Sequence, residues 1–89
     1  MKHLIVLTLA LLPVPAVAGQ SEANACAAEL NAPAKQIYDA SAPYVTPTSD
    51  LHDVVRQQAR GLVLSGQMTR QVAQANAMSA GKCLQKLQS

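Results

Sequence analysis

Two cysteines, Cys26 and Cys83, are the residues of this chain whose types most directly suggest chemistry. A pair of thiols can form a disulfide, exchange electrons with a substrate or bind a metal ion. Both fall on faces of predicted helices that are otherwise apolar. A redox couple usually has Cys-x-x-Cys spacing, and a structural zinc site takes four ligands. We therefore predict a structural Cys26–Cys83 disulfide, with two buried thiols, a redox couple and a pair of metal ligands as alternatives.

His52 is the other residue with catalytic potential, since the second histidine is His3 at the start of the chain. Ser49 and Asp53 lie close to His52 in sequence, but all three belong to one predicted helix start. Serine and aspartate are common there because they bind free backbone N–H groups or favour the helix dipole. A chain this short also has little volume for a substrate cleft. We predict that the protein is not an enzyme, has no catalytic residues and uses no cofactor.

His52, Met68 and Met78 offer a second set of possible ligands for a metal such as copper. They form no clustered motif, so no metal site is predicted. Met78 falls on the polar face of its helix, and Leu64 falls on the polar side of the helix before it. We interpret Leu64 and Met78 as exposed apolar contacts for a partner.

The helix that ends near Gly66 and the helix that follows it resemble a DNA-binding helix-turn-helix. In that interpretation Arg70, Gln71 and Gln74 would read the bases. Helix pairs joined by a glycine turn are common in proteins that bind no DNA. The formal net charge is only +2, from seven basic and five acidic residues. We therefore predict that the protein has no nucleic-acid partner.

Residues 1 to 18 have the three-part pattern of a secretory signal peptide. A positively charged start precedes a short apolar stretch, and two prolines follow it. The small residues Ala16 and Ala18 fit a signal peptidase and place the cut before Gly19. The apolar stretch is too short for a membrane anchor, so no stable membrane insertion is expected after cleavage. The predicted location is periplasmic or secreted, where disulfides persist.

Residues 19 to 89 are then expected to form one helical domain. The chain contains no Phe or Trp, so its core depends on Ala, Val, Leu and Ile. Apolar spacing and capping residues predict three principal helices at about 33–42, 49–65 and 69–87, and a short N-terminal helix that Ser21 caps. The predicted fold is an all-α bundle of three to four helices, stapled by one disulfide.

Three local features are also predicted. Thr48 or Ser49 is expected to cap the second principal helix, because a side-chain oxygen there can accept backbone N–H groups. Two prolines predict an extended connection over residues 43–47. Asn76 falls on an apolar face, and its amide is expected to bond Tyr38 or a loop carbonyl.

Several short stretches together resemble a family of small exported proteobacterial proteins. They are Ile37-Tyr38-Asp39-Ala40, the helix start Asp50-Leu51, the Gly66 turn and the ending Cys83-Leu84. That family pairs an N-terminal with a C-terminal cysteine over nearly all the mature chain and has no established activity, so the resemblance implies fold and location only. In size, export and cysteine pairing the chain also resembles periplasmic acid-stress chaperones, although no motif is shared.

The leading functional hypothesis is a non-enzymatic protein-interaction module of the cell envelope. Its partner would be an envelope protein that the sequence does not identify. The alternatives are a periplasmic stress chaperone and a metal-binding carrier that uses His52 with Met68 or Met78.

Overall fold

A bundle of four α-helices makes up most of the structure, a computed structural model that describes residues 17 to 88, with side chains from residue 19 onward. The helices are α1 (Val17–Ala28), α2 (Ala32–Ser41), α3 (Leu51–Leu64) and α4 (Arg70–Gln85), and short 3-10 helices span Ala42–Tyr44 and Lys86–Gln88. No strand occurs among the described residues. The predicted all-α bundle is confirmed. The predicted signal peptide lies outside the described residues, apart from its last two positions.

Helix α1 is already formed at Val17, a turn earlier than the sequence predicted. The predicted cap by Ser21 is wrong, because Ser21 is an exposed residue inside this helix. No proline interrupts the chain between Val17 and Ala28, so nothing stops the helix from including the preceding turn. The predicted cut before Gly19 therefore falls in the first described turn of α1.

Helix α2 begins at an asparagine cap and runs into a tighter turn. The Asn31 side chain accepts the backbone N–H of Ala34 at 3.0 Å, and Pro33 fits the first turn because its missing N–H is not needed there. The predicted extended connection after α2 is wrong at its start, where Ala42–Tyr44 forms a 3-10 helix. Pro43 again occupies a first-turn position, which explains why the helical path continues.

Asp50, and not Thr48 or Ser49 as predicted, caps helix α3. Its carboxylate accepts two backbone N–H groups of the first turn, at 3.0 and 3.3 Å. The Ser49 hydroxyl is already used in the preceding turn, where it accepts the backbone N–H of Thr46 at 2.7 Å. A carboxylate is also the stronger acceptor, because its hydrogen bonds are charge-assisted.

The junction between α3 and α4 follows the predicted glycine turn. Gly66 has a φ of 81°, a conformation that glycine adopts without strain. Its N–H reaches the carbonyl of Val63 at 3.0 Å, and the N–H of Gln67 reaches that of Leu62 at 2.9 Å. These two bonds are the Schellman pattern of a helix end. Thr69 then caps α4 by accepting a backbone N–H of its first turn at 3.1 Å.

The core lies where α1, α2 and α3 pack against α4, which contacts all three. It is built mainly from small residues, and the buried members of its cluster are Ala23, Ala27, Ile37, Tyr38, Val55, Ala59, Ala73, Ala80, Cys83 and Leu84. Ile37 and Leu84 are the two large aliphatic side chains that are fully buried. At the start of α4, Val72 is half-buried and Ala73 is buried.

The predicted disulfide is confirmed and ties α1 to α4. The Cα atoms of Cys26 and Cys83 lie 5.4 Å apart, within the usual range for a disulfide. Cys83 is 1% exposed and Cys26 is half-buried. The bond therefore joins the first and last helices inside the apolar core.

The predicted partners of Asn76 are wrong. Asn76 is half-buried, and its Nδ2 donates to the carbonyl of Val72 one turn earlier in α4, at 2.7 Å. A polar side chain in a helix often finds this carbonyl because it lies on the same face. The Tyr38 hydroxyl instead lies 3.4 Å from Oδ1 of Asn24 in α1.

Tyr38 is expected to make the stability of the fold sensitive to alkaline pH. Burial, and secondarily the charge of Asp39, raises the pKa of the Tyr38 phenol above its ordinary value of 10.0. The neutral phenol's contribution to stability is thus complete below about pH 10 and is lost as the pH rises through the higher folded pKa. Thermal unfolding from about pH 8 to about pH 12 should show a steeper alkaline loss for the wild type than for Tyr38→Phe. Parallel curves for the two proteins would contradict this.

Candidate docking groove

An open groove of about 1130 Å³ runs along the outer side of α3 and α4. All the residues that line it belong to these two helices, from Leu51 to Leu64 on α3 and from Arg70 to Gln85 on α4. The two helices contact each other, and the short connection over residues 65–69 keeps the end of α3 near the start of α4, so they form an antiparallel pair. Helices α1 and α2 contribute no residue to the groove, which we call the α3–α4 groove.

Small and aliphatic side chains form the floor of the α3–α4 groove. They recur at helical spacing on the two facing helices and are Val55, Ala59, Val63, Ala73 and Ala77. Three of these, Val55, Ala59 and Ala73, are less than one-tenth exposed, because their other sides pack into the core. These residues thus contact the core on one side and line the groove on the other. With alanine at most floor positions, the backbone of an apposed helix can approach closely.

Leu64 and Met78, the predicted partner contacts, both line the α3–α4 groove. Their side chains are 79% and 75% exposed, the largest exposures of any large apolar residue in the described part of the chain. Tyr44, the other exposed large apolar residue there, lies outside the groove. The structure therefore brings together two residues from different helices that the sequence had singled out separately.

Positive charge borders this apolar floor. Four basic residues line the groove, Arg56 and Arg60 from α3 and Arg70 and Lys82 from α4, and no Asp or Glu does. Within residues 17 to 88 the one salt bridge joins Arg56 to Asp53, and both side chains are more than half exposed. Such an exposed pair contributes only about 0 to 1 kcal/mol, so it leaves Arg56 available to another carboxylate. The groove is apolar along its floor and cationic along its edges.

This charge pattern was not predicted from the sequence. On each helix alone, Arg56, Arg60 and Lys82 look like an ordinary solvated face. That these residues line one groove can be recognised only when α3 and α4 are placed side by side. A signal was present in the sequence, since the α3 arginines flank the side of the helix that also carries Leu64.

The fold does not bring His52, Met68 and Met78, the residues considered as metal ligands, together at one site. His52 lies in the first turn of α3 and Met68 lies beyond its last turn, so about 18 Å of helix separates them. Met68 also packs against the core, whereas His52 and Met78 both line the α3–α4 groove. Among residues 17 to 88, no group of three His, Cys, Asp or Glu side chains is placed to hold a metal ion.

The residues that would contact bases in a helix-turn-helix do not form a separate recognition surface. Arg70 and Gln74 line the α3–α4 groove, while Gln71 is exposed outside it. The two helices of a helix-turn-helix cross at roughly 90 to 120°, so that the second can enter a DNA groove. Here α3 and α4 lie side by side along their lengths, which is the geometry of a helical hairpin.

Two further findings concern membrane spanning and the similarity of the chain to known proteins. None of the helices formed by residues 17 to 88 has the length and apolar character needed to cross a membrane. Compared with protein-family models, with curated proteins and with solved structures, the chain has no match in any of the three. The resemblance to exported proteobacterial proteins therefore stays a prediction.

Proposed function

We propose that this protein is an exported, non-enzymatic protein-interaction module of the cell envelope, and that the α3–α4 groove is its docking surface. One observation carries the proposal. Leu64 and Met78 expose 79% and 75% of their side chains and both line a single groove with an apolar floor. Single exposed apolar residues are common on protein surfaces, but a shared groove gives one partner a way to bury both.

The size of the hydrophobic effect supports a binding role for these two side chains. Burying a leucine or methionine side chain contributes about 1.5 to 3 kcal/mol. Nothing in the fold of residues 17 to 88 covers Leu64 or Met78, so a partner that does so gains this free energy without disturbing the core. Exposed apolar patches that polar residues surround are typical of protein interaction sites.

Export to the envelope is supported by two independent features. Residues 1 to 18 have the composition of a signal peptide, and a cysteine pair far apart in sequence forms a disulfide. Structural disulfides persist mainly in oxidising compartments such as the periplasm. This part of the proposal is tested by the intact mass of the protein recovered from a periplasmic fraction. We expect the mass of a chain that begins at Gly19 and has no free thiol.

A capture experiment tests the docking role. The full chain is expressed with a C-terminal affinity tag, cross-linked in cells and purified, and bound proteins are identified by mass spectrometry. We expect one or a few envelope proteins to be captured by the wild type and to be lost from Leu64→Glu and Met78→Glu. Both positions are exposed, so neither change should alter the fold or its melting temperature by much.

Tyr44→Glu is the matched control for these variants. Tyr44 is 60% exposed and lies outside the groove, so its replacement adds the same charge without touching the proposed surface. Equal capture by Leu64→Glu and wild type would contradict the proposal. The stress-chaperone alternative predicts instead that the protein suppresses the aggregation of many unrelated unfolded clients at acid pH.

A further inference from the structure

We propose that the partner presents an acidic amphipathic helix, which lies lengthwise in the α3–α4 groove with its apolar side down and its carboxylates toward the basic edges. This inference rests on the proposed function, because it names the chemistry of the partner that the groove accepts. It depends on the length, the floor and the charge of the groove.

The length of the groove suits a helix of about four turns. Helix α3 has 14 residues and α4 has 16, and the groove extends from the first turn of α3 to its last. At 1.5 Å per residue the groove is about 20 Å long, which matches a helix of about 14 residues. An amphipathic helix of this length presents apolar side chains at i, i+3, i+4 and i+7, a stripe that fits a groove between two helices.

The floor of the groove allows close approach. Ala59, Ala73 and Ala77 have no side-chain atoms beyond Cβ, and Gly81 extends this small surface toward the end of α4. Helices that meet through such residues pack at the short end of the usual 8 to 10 Å separation between axes. Leu64 and Met78 then lie beside the incoming helix and cover its apolar stripe.

The positive charge of the groove favours a partner that carries negative charge. The four cations at the groove are not balanced by any lining carboxylate, and only Arg56 forms a salt bridge in the described part of the chain. Glutamates flanking the apolar stripe of a bound helix can pair with Arg56 and Arg60 on one side and with Arg70 and Lys82 on the other. Charge complementarity of this kind favours the correct partner and suppresses like-charged ones.

The same charges disfavour a second copy of this chain as the occupant. Two grooves placed face to face would bring eight basic side chains together with no lining carboxylate between them. Like charges brought together at an interface cost several kcal/mol. An acidic helix meets the same surface with opposite charge.

The inference is tested with two designed peptides of about 16 residues that share one apolar stripe. In one peptide the flanking positions are glutamate, and in the other they are lysine. We expect the full-length protein to bind the glutamate peptide at least tenfold more tightly at low ionic strength, and salt to reduce this difference. Arg60→Glu and Arg70→Glu together leave two cations and two carboxylates at the groove and should abolish the preference between the peptides. Lys35→Glu, on α2 and away from the groove, should leave it unchanged.

Each outcome decides the inference. Equal binding of both peptides by the wild type, or a preference that survives the double replacement, would overturn the inference, as would binding to anionic phospholipid vesicles but not to the glutamate peptide. Binding of neither peptide by a protein that still captures an envelope partner through Leu64 would also overturn it and leave the proposed function intact. Glutamate-peptide binding without any Leu64-dependent capture in cells would instead contradict the proposed function.

Discussion

Replacing both cysteines, as Cys26→Ala with Cys83→Ala, is expected to lower the melting temperature of the protein by roughly 10 to 25 °C. The bond closes a loop with a sequence separation of 57, for which the chain-entropy model gives a contribution of about 4 kcal/mol. Whole domains are stabilised by only about 5 to 15 kcal/mol. Half of the buried residues in the core cluster are alanine, so the disulfide is a large share of the total.

The double replacement is preferable to a single one because it leaves no unpaired thiol in the core. Thermal unfolding followed by circular dichroism measures the effect, and the wild type with its disulfide reduced should unfold at nearly the same temperature as the variant. Ser79→Ala, an exposed change on α4, serves as the control. A melting temperature within about 2 °C of the wild type would show that the bond adds little to the fold.

Leu84→Ala is expected to destabilise the protein by about 2 to 5 kcal/mol, whereas Leu64→Ala should change its stability by less than about 0.5 kcal/mol. Leu84 is fully buried, and it is one of only two large aliphatic side chains among residues 19 to 88 that the core encloses completely. Its truncation removes apolar burial and leaves a cavity that neighbouring alanines are too short to fill. Leu64 is 79% exposed, so the same chemical change there removes almost no packing.

Urea denaturation of the two variants measures this contrast, since both proteins lose the same atoms from the same residue type. The difference between them reports burial alone. Similar midpoints for Leu84→Ala and Leu64→Ala would mean that the core does not depend on α4 as the structure indicates. A large effect of Leu64→Ala would mean that this side chain is covered in the folded protein, which would also weaken the proposed docking groove.

Much of the local structure could be predicted because its causes are local. Gly66 ends α3 since a left-handed residue is needed there, and Thr69 starts α4 since its hydroxyl reaches a free N–H three residues ahead. The buried residues of α2 recur at the spacing of one helical face and are Ala34, Ile37, Tyr38 and Ser41. In each case the residue type and its spacing carry the information.

Predictions from the sequence failed where two different local structures were both compatible with the residues. Ser49 and Asp50 are both good caps, and the turn before α3 takes the serine hydroxyl, which leaves the carboxylate for the helix. Ser21 is a good cap as well, but α1 already includes the residues from Val17 onward, so Ser21 lies inside the helix. Asn76 had a carbonyl within reach on its own helix and did not need a tertiary partner.

The sequence by itself determined the helical class, the turn between α3 and α4 and the pairing of Cys26 with Cys83, because residue types, periodicity and the number of cysteines leave few alternatives. It also marked Leu64 and Met78 as apolar residues on polar faces. Only the tertiary structure decided that these two residues share a groove with four cations. Periodicity shows which face of each helix is apolar, but the packing of all four helices determines which faces meet and which stay uncovered.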